Sequence, residues 1–258
     1  MVSSSDVLLL DRRDNGVCIV TLNRPRTLNA FNAELHHALP ILLAELDDDV
    51  DVRAVVLTGA GNAFSSGGDR SSMGGDIDLT EKRRSFRAGR RLIENLLALH
   101  VPLIAAVNGP AVGLGATIAT AADLVLMSDS AFLADTHVTV GLVAGDGGAL
   151  TWPALVGLLR AKEYLLTGDR LTAQKALEFG LANRVCPADQ LMTEALAMAG
   201  RIARLAPQAV QDTKQLLNQQ LRVAAVAVLG QGLAAETVSQ FTPEYRASRE
   251  RFAARGRG

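Results

Sequence analysis

The stretch VRAVVLTGAGNAFSSGGDR, Val52 to Arg70, shapes the architecture of this chain. Its first nine residues are nearly all apolar, as in a strand that is buried on both faces. Phenylalanine, two serines and two glycines follow before the Asp69–Arg70 pair. Glycine and serine are common in polar turns, but glycine also lets a ligand approach backbone N–H groups closely. The stretch therefore predicts a buried strand followed by a loop, which is either a simple turn or a ligand-facing segment.

A second glycine-rich turn lies in PLIAAVNGPAVGLGATIATAADLVLMSDSAFLAD, residues 102–135. This segment predicts a strand, a turn, a short helix and two further strands, and so weakly repeats the order before the first loop. Such alternation favours stacked α/β layers. Because a helix N-terminus offers free N–H groups and positive potential, two such turns facing one point would form a two-donor oxyanion hole. The dinucleotide fingerprint lacks its third glycine, and a G-x-S-x-G elbow is absent.

The remaining elements follow from hydrophobic periodicity. GVCIVTLNRP alternates as a strand does, and leucines 35, 39, 42 and 46 have helical spacing behind a cap at Asn29 or Asn32. Pro40 inside that pattern predicts a kink or a break. EKRRSFRAGRRLIENLLALH predicts an amphipathic helix, and after about residue 190 only helical signals remain. We therefore divide the chain into an α/β core, residues 1–190, and a helical oligomerisation region, residues 191–258, whose apolar faces exceed what its own helices cover.

Composition excludes several classes of protein. The 258 residues are 48% apolar and 21% charged with a net charge of −1 and a pI of about 6.4, so nothing global attracts nucleic acid. The N-terminus lacks a signal peptide pattern, and no apolar run approaches the roughly 18 residues of a membrane span. Cys18 and Cys186 stand alone, and the four histidines form no metal-ligand pair. We expect a cytoplasmic protein without a metal site or a membrane partner.

Several motifs, in order, resemble one family. They are LNRPRTLNAF, AFSSGGD, the 102–135 segment, VGLVAGDGG, AKEYLLTGDRLTAQKALEFGLANRV and the stretch from Pro207 to Lys214. Together they cover nearly the whole chain, and their order is similar to that of the crotonase, or enoyl-CoA hydratase/isomerase, superfamily. The resemblance implies an α/β spiral of ββα units and a helical C-terminal region that forms trimers, often paired as hexamers. It also implies an acyl-CoA substrate, with coenzyme A as part of the substrate and no separate cofactor.

The resemblance also assigns residues to the ligand site. The backbone N–H groups of Ser66 and Leu114 match the oxyanion-hole donors of the family. The positions that match coenzyme A or substrate contacts are Arg26, Leu28, Ala63, Ser65, Gly67, Gly68, Asp69 and Gly113. Asp69 and Arg70 are expected to order the loop over the ligand, and loop 70–80 is expected to line the acyl pocket together with the C-terminal helices.

The chain departs from the family at its acid/base positions. Typical hydratases have two glutamates where this chain has Thr117 and His137. We interpret His137 as a neutral general base with a pKa of about 6–7, with a packed core histidine as the alternative. Asp146 falls one residue from the catalytic aspartate of dienoyl-CoA isomerases and aroyl-CoA dehalogenases, and it is either a helper or a turn residue. Thr117 either holds water or packs in its helix.

These residues predict an acyl-CoA enzyme of the enoyl-CoA hydratase/isomerase type that stabilises a thioester enolate. The missing glutamates leave thioester hydrolysis, double-bond isomerisation and C–C cleavage open as alternatives to hydration, since each needs differently placed acid/base groups. A non-catalytic acyl-CoA-binding protein is a further alternative.

Overall fold

The structure, a computed structural model, describes residues 6–69 and 79–255. Its strands are β1 Leu8–Arg12, β2 Val17–Leu22, β3 Ala54–Gly59, β4 Leu103–Val107, β5 Ala111–Val112, β6 Leu124–Ser128, β7 Phe132–Ala134, β8 Leu171–Thr172 and β9 Arg184–Cys186. Its helices are α1 Ala33–Asp48, α2 Leu79–Ala98, α3 Leu114–Ala121, α4 Gly148–Val156, α5 Leu158–Thr167, α6 Ala173–Phe179, α7 Leu191–Ala203, α8 Pro207–Ser239 and α9 Pro243–Arg255. Short 3₁₀ turns cover Pro25–Thr27 and Val138–Val140. The predicted α/β class is confirmed.

The main sheet has six strands in the order β1-β2-β3-β4-β6-β9. Strand β1 pairs antiparallel with β2, and each of the other neighbouring pairs is parallel. All six residues of β3 are buried, as its apolar sequence predicts. One face of the sheet packs against α1, α2 and α3 in the main hydrophobic core, and the other face packs against α7.

A small second sheet, β5-β7-β8, carries the elements that build the site. Strand β5 pairs in parallel with β7, and β7 pairs antiparallel with β8. An isolated bridge joins Ser65 to Ala111, so the loop after β3 is attached directly to the start of this sheet. The two glycine-rich turns of the sequence are therefore brought to one place.

Helix α1 begins and continues in ways that the sequence predicts only in part. The side chain of Asn32 accepts a hydrogen bond from the amide of Leu35 at 2.9 Å, so Asn32 is the N-cap. The helix runs without interruption from Ala33 to Asp48 and contains Pro40. Of the kink or break that Pro40 predicts, the break is wrong, because Leu39 on one side of the proline and Leu42 and Leu43 on the other are buried in the core and hold the helix together.

The C-terminal helices pack on the core and leave much apolar surface exposed. Helix α7 covers the sheet, and α8 packs along α2 and α4. The most exposed large apolar residues of α5 and α8 are Leu158, Leu159, Leu166, Leu216, Leu217, Val223, Val226 and Val238. Helix α8 has 33 residues and a mean hydropathy of 1.3 in its most apolar window, of which 17% is buried, so its length and composition alone would allow it to cross a membrane. The expectation that no segment of the sequence approaches a membrane span is therefore wrong by length and composition, which one helix of a protein without membrane segments can also meet.

Candidate active site

The two glycine-rich turns contact each other through their backbones. The amide of Val112 donates to the carbonyl of Ser65 at 2.9 Å. Gly67 has φ of 85°, and a Cβ there would lie 2.6 Å from the Val112 oxygen and 3.5 Å from the Leu114 nitrogen. Gly67 must therefore be glycine for two reasons, its left-handed backbone and the close approach of the second turn. The two glycine-rich turns therefore meet, which is the condition for the two-donor oxyanion hole expected from the sequence.

The backbone amides at this junction differ in availability. Leu114 is the first residue of α3, and among the described residues its N–H has no hydrogen-bond partner, as expected at a helix N-terminus. The N–H of Ser66, the other predicted oxyanion donor, already donates to the carbonyl of Leu28 at 2.9 Å. Within residues 6–69 and 79–255, the N–H of Gly68, two residues further along, has no such partner. Among the described residues, the amides of Leu114 and Gly68 are therefore both available at this junction.

A buried asparagine that the sequence analysis used only as a candidate cap shapes the first loop. Asn29 has φ of 55°, is fully buried, and donates from Nδ2 to the carbonyls of Ala60 and Ala63 at 2.9 and 2.8 Å. Its own carbonyl accepts a hydrogen bond from Ser65 Oγ at 2.8 Å. Ala63 and Ser65, predicted to contact the ligand, are themselves buried and hold the loop in shape.

The predicted coenzyme A contacts lie around this loop in different environments. Asp69 is buried and forms an ion pair with Arg24 at 2.8 Å, which ties the end of the loop to the segment after β2. Arg26 and Leu28 are exposed on the 3₁₀ turn and the residue after it. Arg70 and the rest of the predicted pocket loop up to residue 78 lie outside the described residues.

His137 lies between two carboxylates. Its Nδ1 is 2.6 Å from Oδ1 of Asp135, and its Nε2 is 3.3 Å from Oδ2 of Asp146. The second oxygen of Asp146 accepts a hydrogen bond from Thr117 Oγ1 at 3.0 Å. The exposed fractions of the His137, Asp135 and Asp146 side chains are 11%, 1% and 10%, so this is a buried chain of charged groups. The three site residues predicted in this region are brought together.

The chain of charged groups sits beside the free amide of α3. Strand β7 ends at Ala134, whose carbonyl accepts a hydrogen bond from the amide of Gly113 at 2.8 Å. A Cβ on Gly113 would lie 3.4 Å from Cε1 of His137, so the imidazole lies against the residue that precedes Leu114. Asp146 approaches from the other side because Gly147 follows it, where a Cβ would clash with Thr117 at 2.6 Å.

The neighbouring charges shift the pKa values of His137 and Asp146 in opposite directions. Burial alone would lower the pKa of His137, but the Asp146 charge and the hydrogen bond to Asp135 outweigh burial and raise that pKa well above 6.5. Burial opposes ionisation of Asp146, yet the positive charge of His137 and the hydrogen bonds from His137 and Thr117 lower its pKa. The expectation of a neutral imidazole with a pKa of about 6–7 is wrong, because the histidine is flanked by carboxylates on both sides.

The same three residues also carry potential metal ligands. Ligand atoms of Asp135, His137 and Asp146 lie within 4.8 Å of one another. Both nitrogens of His137 are engaged with carboxylates, and a protonated imidazole cannot ligate a metal. Metal binding would therefore require His137 to lose its proton and one of these contacts.

Two residues near the site were missed by sequence reasoning. Asp135 stands two residues before His137, and this D-x-H spacing after a strand is the signal that could have identified it. His36 lies in the first turn of α1, and within residues 6–69 and 79–255 its buried Nδ1 has no hydrogen-bond partner. Its neighbour His37 is exposed, and the pattern HH in an amphipathic helix gives no indication of which histidine faces inward.

A family model described as enoyl-CoA hydratase/isomerase matches residues 12–257. The chain belongs to this family. A short-chain enoyl-CoA hydratase of Clostridium acetobutylicum is 36% identical over 208 residues, which are 80% of this chain and 79% of that relative. The enoyl-CoA hydratase/isomerase family resemblance predicted from the motifs is thereby confirmed.

Solved structures of the family share the fold over nearly the full length. An enoyl-CoA hydratase/isomerase of Mycobacterium paratuberculosis is 44% identical with a TM-score of 0.90, and the match covers 96% of this chain and 98% of that one. A β-diketone hydrolase of the cyanobacterium Anabaena sp. PCC 7120, bound to (S)-3-oxocyclohexyl acetic acid, is 31% identical with a TM-score of 0.85. That match covers 91% of this chain and 94% of the hydrolase. Proteins with these different names therefore share the same backbone fold.

Proposed function

We propose that this member of the enoyl-CoA hydratase/isomerase family binds the oxygen of an acyl-CoA thioester at backbone amides and stabilises it as an enolate. The amide of Leu114 is one donor, and its free N–H at the start of α3 supports this role. The amide of Gly68 is the second donor, since it is free and follows the Gly67 contact with the other turn. Ser66 remains the donor predicted from the motif, but its N–H would first have to leave the carbonyl of Leu28.

Protons are transferred by the His137–Asp146 pair in this proposal. The single observation that carries it is the buried His137 held between Asp135 and Asp146 beside Gly113. The two groups have pKa values shifted in opposite directions, which suits one acid and one base. The His137 imidazolium delivers a proton to the carbon next to the thioester, and the Asp146 carboxylate accepts one from water or carbon.

The same electrostatics explain why ordinary hydration should be slow. A carboxylate whose pKa is lowered is a weaker base than one whose pKa is raised towards neutrality, which slows proton removal from water and from carbon alike, but hydration also needs an oxygen of Asp146 to hold the attacking water. Both oxygens of Asp146 are also engaged, one by Thr117 and one by His137. We therefore place double-bond isomerisation, which moves a proton between carbons without activating water, ahead of hydration.

A panel of CoA thioesters followed by mass spectrometry tests this function. Wild-type protein should convert at least one enoyl thioester, and Asp146→Asn and His137→Gln should each lower the rate by about 10²–10⁴. Binding of the thioester without turnover of any panel member would support the non-catalytic alternative. Turnover that is unchanged in both variants would remove the pair from the mechanism.

A second candidate, cleavage of a C–C bond between two carbonyl groups, is favoured by one observation. The protein from Anabaena that is 31% identical to this chain is named a β-diketone hydrolase. This chain, for its part, lacks both glutamates of typical hydratases. In such a reaction water adds to one carbonyl, and the leaving carbon departs as an enolate that the same amides stabilise. A cyclic 1,3-diketone without coenzyme A, added to the panel, distinguishes this candidate from the first.

We also propose that the exposed apolar faces of α5 and α8 meet other copies of this chain in a trimer or a hexamer. Continuous exposed apolar surface of this kind marks interfaces. Light scattering in aqueous buffer should give three or six times the 27.2 kDa chain mass. A stable monomer would refute this, and a particle that is soluble only in detergent would favour the membrane alternative for α8. A cytoplasmic location and the lack of a separate cofactor or a nucleic-acid partner remain predictions.

A further inference from the structure

A second histidine, His36, lies on the first helix and packs near the first glycine-rich loop. His36 is one turn into α1, and its ring packs edge-on against Phe31 with centroids 5.4 Å apart and an interplanar angle of 68°. Phe31 is itself attached to the first glycine-rich loop, because its amide donates to Gly67 and its carbonyl accepts from Asp69 at 2.7 and 3.0 Å. His36 is thereby held beside the loop that carries the Gly68 amide.

One ring nitrogen of His36 is not used within the described part of the chain. Its Nδ1 is buried and has no hydrogen-bond partner among the described residues. Buried polar atoms are nearly always hydrogen-bonded, because leaving one unpaired costs free energy on folding. An apolar residue at this position of α1 would fill the same space against Phe31 without that cost.

The charge of Asp146 acts on the His36 imidazole. Burial lowers its pKa, and the one charge that opposes this effect is that of Asp146. Burial therefore favours the neutral imidazole, which carries one donor and one acceptor. A neutral ring beside the first glycine-rich loop can bind an oxygen of a substrate without repelling or attracting charge.

We infer that His36 is a specificity-determining residue that hydrogen-bonds a hydroxyl or oxo oxygen on the acyl chain, beyond the thioester carbonyl. This inference rests on the proposed function, since it assumes that an acyl-CoA occupies the site. It narrows the substrate class to oxygenated acyl thioesters. Such a substrate supplies the missing partner of the buried Nδ1, so binding satisfies an atom that folding leaves unpaired.

Calorimetric binding of hexanoyl-CoA and of hexanoyl thioesters with one hydroxyl group at successive carbons tests the inference. Wild-type protein should bind at least one hydroxylated thioester about tenfold more tightly than hexanoyl-CoA, as expected for one well-placed hydrogen bond. His36→Leu should abolish this preference while still binding hexanoyl-CoA. His36→Asn, which can place a polar atom near the former Nδ1, should keep part of it. The matched control is His37→Leu, because His37 is the exposed neighbour in the same helix, and it should leave the preference unchanged.

The outcomes separate the inference from the function on which it rests. Equal binding of all thioesters by wild-type protein, or a preference that survives in His36→Leu, would overturn the role of His36 and leave the proposed function intact. Failure to bind any thioester would overturn both. Melting temperatures complete the test: His36→Leu should be as stable as wild type or more so. A large loss of stability with an unchanged preference would assign His36 to packing.

Discussion

Replacing His137 by glutamine should destabilise the protein by leaving two buried carboxylates without their shared cation. The side chains of Asp135 and Asp146 are 1% and 10% exposed and lie 2.6 and 3.3 Å from the imidazole. Two opposite charges about 4 Å apart attract by roughly 4 kcal/mol at an effective dielectric constant of about 20. Removing one partner of a buried ion pair typically costs about 3–5 kcal/mol, and we expect His137→Gln to fall in this range.

The expected shift in melting temperature follows from chain length. With an unfolding entropy of about 2.1 cal/mol/K for each residue of this 258-residue chain, the loss corresponds to roughly 6–9 °C. Thermal unfolding at pH 7, followed by circular dichroism, measures it. The exposed His37→Gln is the matched control and should unfold within about 1 °C of wild type, as is usual for surface substitutions.

The pH dependence identifies the cause of the loss. The raised pKa of His137 contributes stability that is full below about 6.5 and disappears as pH rises through the raised value. The lowered pKa of Asp146 contributes stability that is present above 3.8 and disappears as pH falls through the lowered value. The cost of His137→Gln should therefore be largest near neutral pH and shrink at low pH, where the carboxylates take up protons.

A neutral triple variant provides the second control. His137→Gln combined with Asp135→Asn and Asp146→Asn removes all three charges and should recover most of the lost melting temperature, because no carboxylate is then buried without a partner. The reasoning is refuted if His137→Gln melts with wild type at pH 7, or if the triple variant is less stable than the single one.

Three further predictions concern catalysis. Because His137 acts as an acid in its charged form, kcat/KM should fall as pH rises through its raised pKa. A kcat/KM that instead falls on the acid side near pH 6–7 would support His137 as a neutral general base. Leu114→Pro removes the free backbone N–H at a helix position that tolerates proline, and it should lower kcat by a factor of about 10²–10³. Leu114→Ala keeps that N–H and is the control. An equal loss of kcat in both variants would exclude the Leu114 N–H as an oxyanion donor. Crotonyl-CoA should be hydrated slowly, and Thr117→Glu with His137→Glu should restore the rate only when Asp135→Asn and Asp146→Asn are also introduced, because four buried carboxylates would otherwise repel one another; family-like hydration by wild type would contradict this.

The sequence predicts what depends on local pattern and chain order. The buried strand β3 and a cap at Asn29 or Asn32 follow from an apolar run and from capping chemistry, and the structure has the buried strand and the Asn32 cap. The positions of Thr117, His137 and Asp146 in one cluster follow from the family motifs. These features are local or are fixed by the motif order, so a single sequence contains them.

Long-range pairing accounts for what the sequence does not predict. The pKa of His137 is set by Asp135 and Asp146 together, and only the folded chain shows that both carboxylates contact one ring. The engaged amide of Ser66 depends on the left-handed Leu28, whose conformation no motif indicates. Continuity of α1 through Pro40 depends on burial against the core, which outweighs the local tendency of proline to end a helix.

The packing of α7 against the sheet has a consequence for synthesis of the chain. The face of the sheet formed by Val17, Val56, Ile104 and their neighbours is complete once β6 has emerged, but its cover is α7, Leu191–Ala203. At a synthesis rate of about 5–20 residues per second, α7 follows β6 after roughly 4–15 s, and during that time the apolar face of the sheet is uncovered. Chains stalled before residue 191 should therefore be bound by holding chaperones and cleaved readily by protease, and protection equal to that of the full-length chain would show that the face is covered in another way.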